Sequence, residues 1–485
     1  MKPTQTYLTT SALLLAAATS ASAQSYLASP GLLNEWLRQK DANYNAWDIG
    51  AAVRLRYEDR NNFIGAFTGP TAGANDFKAT TANPNNSVFM QRVKPRVGYT
   101  SEWFSAFVEG RSSHTTGDVR NPNPESDTLD LHQAYLTLGN LKEFPLSLKV
   151  GRQELSYGDE RLIGAFDWNN LGRVFDAAKL RWQNSWFGVD AFTSRIVLAD
   201  ENNFNVANDY DYFSGLYFNS KTLVPKTDAQ WYFLARNVST GSATATTGAP
   251  QAGGPAPRDI YTLGARLKSL PGEFGNWDYT GEVMAQFGHF NDPAAVIKSQ
   301  EHEAYALFAS AGYTWADLAW KPRAGLEYNF ASGDDNAADG KHGTFENLFP
   351  TNHKFYGFMD LVSLQNIHNV RLTTSFKPLP RLTLTGDVHG FWLANTSDNF
   401  YTVAGFRRGG IAATPGTGYG INPGYGSYVG TEVDVTASYA LTGYATLQGG
   451  FGHFFVGDYI KQSLSSATVG SKDANWFYAQ LNLNF

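Results

Sequence analysis

The sequence predicts a transmembrane, all-β fold, an antiparallel β-barrel of eighteen strands, and three observations support this class. The last ten residues, Trp476 to Phe485, alternate between apolar and polar side chains, which is the period of a membrane-crossing strand. Segments with the same alternation recur along the chain, joined by connections that are long and short in turn. The composition agrees, because 14% of the residues are aromatic, 47 are glycine, none is cysteine, and the mean hydropathy is only −0.32.

The N-terminus has the pattern of a secretory signal. Lys2 supplies a positive charge, Leu13 to Ala18 form an apolar stretch, and Ala21-Ser22-Ala23 is a small-residue cleavage site. The apolar stretch is well below the roughly 20 residues of a transmembrane helix. We therefore expect a signal peptide at 1–23 that is removed near Ala23, a short periplasmic segment at 24–46, and a single barrel at 47–485.

Eighteen alternating segments are the predicted strands. Their approximate ranges are 47–58, 89–99, 103–111, 131–138, 146–153, 174–182, 186–195, 211–218, 228–236, 259–267, 278–288, 302–314, 322–330, 369–376, 381–392, 429–439, 443–452 and 475–485.

The connections indicate how such a barrel is oriented. Those after odd-numbered strands are long, as at 59–88 and 331–368, and those after even-numbered strands are short, as at 183–185 and 377–380. Outer-membrane barrels have long extracellular loops and short periplasmic turns, and an even strand count leaves both termini in the periplasm. A soluble sandwich or propeller has no reason to sort its loops in this way. The terminal Phe485 resembles the signal that the barrel-assembly machinery recognises in Gram-negative bacteria.

Basic residues are concentrated on the inward face of the first six strands, where only Asp48, Glu58 and Glu109 oppose them. These bases are Arg54, Arg56, Arg92, Lys94, Arg96, Arg111, Lys149, Lys179 and Arg181. On the later strands the inward bases Arg236, Arg266, Arg323 and Arg371 face a larger number of acids. Arginine presents a planar fork to carboxylates, so one basic wall predicts a path for carboxylated solutes and an anion-selective lumen. The alternative is that these bases pair with acids and only brace the barrel.

The segment after the fifth strand is dense in charged, aromatic and glycine residues. It runs from Gly151-Arg152-Gln153 through Asp159-Glu160-Arg161-Leu162 to Arg173 and Phe175-Asp176-Ala177. We expect it to fold into the lumen as a constriction; a compact surface loop is the alternative.

Together with Ser332-Gly333-Asp334 and the stretch from Phe345-Glu346-Asn347 to Phe358-Met359-Asp360, this segment resembles the alginate export family of outer-membrane proteins. The resemblance spans nearly the whole mature chain. It implies an eighteen-stranded monomeric barrel with an electropositive, anion-selective lumen that serves polysaccharide secretion. It also implies pore-lining roles for Arg152, Arg161, Arg173 and Asp176. The many inward acids of the later strands depart from that pattern.

Catalytic and metal-binding patterns do not point elsewhere. No G-x-S-x-G or H-E-x-x-H motif is present, so we expect a protein that is not an enzyme and needs no cofactor. Asp334, Asp335 and Asp339 lack the spacing of a calcium loop, so a calcium site there is only a weak alternative to a solvated loop. Nucleic-acid binding has no support.

The expected function is passive transport across the outer membrane of an anionic polysaccharide such as alginate, or of a related carboxylated solute. The alternative is a porin for the uptake of small sugars or organic acids. Expected partners are outer-membrane lipid and lipopolysaccharide, the barrel-assembly machinery, the solute and a periplasmic export scaffold. Which solute passes, and in which direction, the sequence leaves open.

Overall fold

The computed structural model describes residues 31–63, 76–80, 85–120, 123–239, 256–291, 297–408 and 414–485. The predicted signal peptide lies outside these residues. Within them the strands are β1 Trp47–Asn61, β2 Asn85–Thr100, β3 Phe104–Thr116, β4 Asp127–Leu138, β5 Leu146–Gln153, β6 Phe175–Gln183, β7 Gly188–Leu198, β8 Val206–Ser220, β9 Thr227–Val238, β10 Arg258–Ser269, β11 Trp277–Asn291, β12 Ser299–Thr314, β13 Arg323–Ala331, β14 Lys341–His342, β15 Ile367–Leu379, β16 Leu382–Leu393, β17 Tyr428–Ala440, β18 Ala445–Val456 and β19 Ala474–Asn484.

Eighteen of these strands form one closed antiparallel barrel, which confirms the predicted fold class. Each strand pairs with its neighbours in sequence, and β1 closes the barrel by pairing with both β2 and β19. In the described residues β14 stands apart, because its two residues pair in parallel with the end of β12. Each predicted strand overlaps one observed strand. Several observed strands extend further at the end with the long connections, where apolar and polar residues no longer alternate clearly.

The barrel is apolar outside and polar inside, the reverse of a soluble protein. On β2, the outward side chains of Phe89, Val93 and Val97 are exposed, while Arg92 and Lys94 between them are buried. This alternation follows from the two faces of a strand. The exposed apolar band is the surface that suits lipid.

Helices are short in the described part of the chain: α1 spans Leu32–Lys40, α2 spans Asp458–Ser463, and 3-10 turns span Ala42–Ala46 and Asn352–Lys354. No helix among the described residues has the length and apolar character needed to cross a membrane.

Helix α1 is attached to the barrel at the end with the short turns. The Asn34 side chain donates to Asp48 at 2.5 Å and accepts from the Ile49 backbone N–H at 2.6 Å, and Arg38 donates to the Trp47 carbonyl at 2.9 Å. The segment before the first strand is therefore anchored at one mouth of the barrel.

Two long connections fold back into the barrel and supply an apolar core there. We call residues 154–174 the constriction loop and residues 343–366 the second inward loop. Leu162 and Ile163 of the first loop and Phe349 of the second are buried in one hydrophobic cluster with inward side chains such as Phe175 and Phe213. The interior is therefore partly filled by packed side chains.

Candidate functional site

The basic residues of the first six strands lie on the inward face and form two groups. Across β1 and β2, Arg54 lies directly opposite Arg92 in the strand register. Across β5 and β6, Lys149 lies directly opposite Lys179. Like charges side by side are unfavourable unless a counter-charge is near, so the neighbours of each group decide its role.

The first group holds the constriction loop by its backbone. Arg54 Nη1 and Arg92 Nη1 both donate to the Asp167 carbonyl, at 2.7 and 3.0 Å. Arg56 Nη1 donates to the Trp168 carbonyl at 2.8 Å, and its guanidinium lies 4.1 Å from the centre of the Trp168 ring. These arginines therefore fix the loop tip inside the barrel, as expected for an inward constriction.

Acids from the loops neutralise most of this wall. Lys94 Nζ lies 3.2 Å from Glu109 and 3.5 Å from Glu154, and Arg92 Nη2 lies 2.9 Å from Asp167 Oδ1. The expected excess of basic charge is thus smaller than a count of strand residues suggests, because Glu154 and Asp167 come from the constriction loop.

Two other bases of this wall are also paired. Arg96 Nε lies 3.1 Å from Asp48, and Arg111 forms an ion pair with Asp127 and donates to the Leu171 carbonyl at 2.6 Å. Bracing is therefore the role of most bases on β1 to β3.

The second group is less compensated. Lys179 Nζ lies 3.8 Å from Asp190 Oδ2, and Arg181 Nη1 lies 2.8 Å from Asp190 Oδ1. Lys149 Nζ lies 3.6 Å from the centre of the Tyr135 ring. Lys179 and Arg181 therefore share the Asp190 carboxylate, and among the described residues no carboxylate lies within ion-pair distance of Lys149.

The two arginines of the constriction loop have different surroundings. Arg161 crosses to β13, where it lies 2.9 Å from Glu327 and donates to Asn329 at 2.8 Å. Arg173 Nη1 donates to the carbonyls of Phe349 and Pro350 at 2.6 and 2.9 Å. Arg161 therefore ties the loop to the far wall, and Arg173 ties it to the second inward loop.

Arg152 and Asp176, for which the resemblance implies a pore-lining role, lie on β5 and β6 at the end with the long connections. They pair with each other across β5 and β6, with Nε and Oδ1 2.8 Å apart. In the strand register they share the face of the exposed Val150 and Leu180, opposite to that of Lys149. Arg152 is buried and also donates to the Asn205 carbonyl at 3.0 Å, so the pair braces the strands near the long connections.

The bases of the later strands are each paired. Arg236 lies 2.7 Å from Asp211, Arg266 pairs with Asp159 of the constriction loop, and Arg371 lies 2.8 Å from Asp387. Arg323 lies 2.6 Å from Asp278 near the short turns.

Glu346 of the second inward loop is a buried acid to which the sequence analysis assigns no role of its own. It lies 2.6 Å from Arg236 and 3.2 Å from Arg258, two buried arginines on adjacent strands. On the other side of the barrel, the β17 carboxylates Glu432 and Asp434 accept backbone N–H groups of this loop at 2.8 and 3.3 Å. The second inward loop therefore spans the lumen from wall to wall.

Loop groups show how strongly these charges interact. Burial raises the pKa of the Glu154 carboxyl, but Lys94 and the hydrogen bond with His132 outweigh this effect and lower the pKa to about 2. Burial lowers the pKa of the Arg173 guanidinium to about 9, and the charge of Arg236 adds to that shift. Both groups remain charged at neutral pH.

The three residues of the weak calcium alternative do not gather around one point. The Asp334 carboxylate accepts the Asn336 backbone N–H at 3.1 Å, and Asp339 accepts that of Lys341 at 2.8 Å, so both cap turns, and Asp335 joins no cluster of possible ligands among the described residues.

Among the described residues, one group of side chains brings three possible metal ligands close together: Glu109, His132 and Glu154. The ammonium group of Lys94 already supplies positive charge to both carboxylates. This cluster therefore does not call for a metal ion.

Comparisons with known proteins agree with this architecture. The model of a family described as alginate export matches residues 47–470. Among solved structures, the chain is similar to a BenF-like porin from Pseudomonas fluorescens Pf-5, with 12% identity, a TM-score of 0.55, and coverage of 90% of this chain and 99% of that one. It is also similar to OccK2 (OpdF) of Pseudomonas aeruginosa in complex with glucuronate, with 13% identity, a TM-score of 0.52, and coverage of 90% and 98%. At these identities the likeness concerns the fold alone. No curated protein sequence matches the chain.

Proposed function

This chain belongs to the alginate export family, and from that premise we propose that it is a passive outer-membrane channel for carboxylate-bearing solutes. An alginate-like polyuronate is the substrate that the family implies. Family and fold are those of a transport channel rather than of an enzyme class.

The observation that carries the proposal is the group formed by Lys149, Lys179 and Arg181. Of these three inward cations, Lys179 and Arg181 share one carboxylate, Asp190, and Lys149 has none within ion-pair distance among the described residues. A wall with excess positive charge between low-dielectric surfaces raises the local concentration of anions. This group supports selection of carboxylates over cations.

The proposed orientation follows the usual rule for such barrels. The chain ends of β1 and β19 lie with the short turns, so we place both termini in the periplasm and the long connections outside the cell. In this arrangement the mature protein is a monomer in lipid and lipopolysaccharide, the assembly machinery reads Phe485, and a periplasmic scaffold delivers an exported solute. Residues 31–46 then lie at the periplasmic mouth.

A second candidate is a porin for small sugars or organic acids, and the two inward loops favour it. The Phe349 backbone N–H donates to the Leu162 carbonyl at 2.9 Å, and the Gly164 N–H donates to the Phe349 carbonyl at 2.8 Å. Two loops joined in this way narrow the lumen, and a narrow lumen admits a single sugar unit more easily than a polymer chain. The length of the solute therefore separates the two candidates.

The test is the reversal potential of the purified protein in a planar bilayer under a salt gradient, with glucuronate or oligouronates added to one side. We expect an anion-selective current that these solutes block. Block by oligouronates at lower concentration than by glucuronate favours the polymer channel, and stronger block by glucuronate favours the small-solute porin. A current that is not anion-selective and is indifferent to both solutes would contradict the proposal.

The double variant Lys149→Gln/Lys179→Gln assigns the selectivity to the basic group. It should lower the ratio of anion to cation permeability severalfold. The matched control is Lys221→Gln/Lys226→Gln, which removes two exposed lysines from the short turn between β8 and β9. Equal shifts in the two double variants would mean that total charge, and not this group, sets the selectivity.

A further inference from the structure

Asp167, at the tip of the constriction loop, presents its carboxylate to the lumen in an unusual setting. Its side chain is 62% exposed, whereas the two cations it contacts, Arg92 and Lys94, have side chains exposed by 8% and 10%. Asp167 Oδ1 lies 2.9 Å from Arg92 Nη2 and 3.9 Å from Lys94 Nζ. An exposed acid thus covers two buried bases on the wall of the channel.

Resting on the proposed function, we propose that Asp167 is a tethered competitor of the solute and determines its affinity. Its carboxylate occupies the cationic site of Arg92 and Lys94, and a solute carboxylate enters that site by displacing it. No bond is made or broken in this exchange, since one ion pair replaces another.

In such an exchange the buried bases of the site keep a counter-charge, because the solute carboxylate takes the place of the Asp167 carboxylate. Arg92 and Lys94 have the carboxylates of Glu109, Glu154 and Asp167 within ion-pair distance. Arg54, which donates to the Asp167 backbone carbonyl, adds a third positive charge beside them. A buried charge left without a partner is costly, whereas a buried charge that changes partners is not. Glu109 and Glu154 are largely buried beside Lys94, so Asp167 is the carboxylate that a solute can replace.

The loop does not depend on this carboxylate for its position. The Asp167 carbonyl accepts from Arg54 and Arg92, the Trp168 carbonyl accepts from Arg56, and the Asn170 carbonyl accepts from the Ser113 hydroxyl at 2.6 Å. These bonds involve the backbone. The Asp167 side chain can therefore rotate away, or be replaced, while the loop tip stays in place.

The experiment is the block of ionic current by glucuronate in wild type, D167N and D167E. D167N removes the competitor, so the glucuronate concentration that blocks half of the current should fall by about fivefold. A change of this size corresponds to the loss of one partly exposed ion pair. D167E keeps a carboxylate on a longer arm and should behave as the wild type. Heat-modifiable migration on gels checks that each barrel is folded.

The control is D278N, which removes an exposed lumenal acid from the Arg323 pair, far from Arg92 along the chain and near the short turns. D278N removes one negative charge from the lumen, as D167N does, but it leaves the Arg92–Lys94 site unchanged. Equal strengthening of block in D278N and D167N would overturn the inference and leave the proposed function standing. Unchanged block in D167N would overturn it as well. Glucuronate that blocks none of these channels would overturn the inference. The proposed function falls with it only if the current is not anion-selective and oligouronates do not block it either.

Discussion

Ile163 of the constriction loop and Phe349 of the second inward loop form a parallel β-bridge inside the barrel. The Arg173 guanidinium reinforces this contact. Arg173 lies at the C-terminal end of the constriction loop and donates to the Phe349 carbonyl. Backbone groups buried away from water must find partners, and here each loop satisfies the other. The two loops therefore form one unit, and a change in either should alter the path through the lumen.

Replacing Arg161 with Gln should loosen this unit. Arg161 is buried and pairs with the buried Glu327, so the variant leaves that carboxylate uncompensated, at a cost of about 3–5 kcal/mol. We expect a lower temperature for loss of the folded gel band and larger fluctuations of single-channel current. The control is R323Q, which breaks a partly exposed Arg–Asp pair worth under about 1 kcal/mol. Equal destabilisation by the two variants would argue against the anchoring role.

Replacing Gly264 with Ala should destabilise the barrel wall. A methyl group at this position would come within 2.1 Å of the Tyr232 ring, which is buried and donates to Glu282 at 2.5 Å. Overpacking of this kind costs about 1–3 kcal/mol. The matched control is G281A on the next strand, where the nearest atom to the new methyl group is at 3.9 Å. Urea denaturation followed by tyrosine and tryptophan fluorescence should show a loss for G264A and no loss for G281A.

The loop around Asp334 should be more stable in mild acid than at neutral pH. Burial raises the pKa of the Asp334 carboxyl to about 6, and the neighbouring Asp398 adds to the shift. The folded loop therefore binds more protons than the unfolded chain between about pH 4 and 6, and its stability falls as the pH rises through that range, by up to about 3 kcal/mol. Hydrogen exchange of residues 332–345, corrected for intrinsic rates, measures this change. D334N should reduce the pH dependence. Burial also raises the pKa of the Asp398 carboxyl, which accepts the Asp334 backbone N–H, so the part that survives in D334N belongs to that carboxyl. An unchanged dependence in D334N would assign it to another group.

How far the sequence predicts this molecule depends on whether a residue lies on a strand or in a loop. Strands such as β2 and β19 are predictable because their side chains face lipid and lumen in turn. The two-residue alternation of apolar and polar residues therefore identifies both the strand and the face on which each side chain lies. The same rule places Arg152 on the face opposite to Lys149, whereas the family resemblance implies a pore-lining role for it.

The inward loops have no such period. Asp167 and Glu346 reach their basic partners only because the two loops cross the barrel and lock together. Counting acids strand by strand therefore overestimated the free positive charge of the wall. The density of charged and aromatic residues in 151–176 was the signal that a loop would turn inward, but it does not identify which wall each residue meets.

Deleting Phe485 should impair insertion of the barrel into the outer membrane. Its backbone N–H donates to the Ala51 carbonyl at 2.8 Å and its carbonyl accepts from the Ala51 N–H at 3.3 Å, so this residue completes the seam between β1 and β19. Losing two such bonds costs about 2 kcal/mol, and the terminal aromatic expected to engage the assembly machinery is lost as well. Membrane fractionation with protease protection measures the inserted fraction. The control is F477A, which removes an exposed outward aromatic from the same strand and leaves the terminus intact. Normal insertion of the deletion variant would show that closure of the seam does not depend on the last residue.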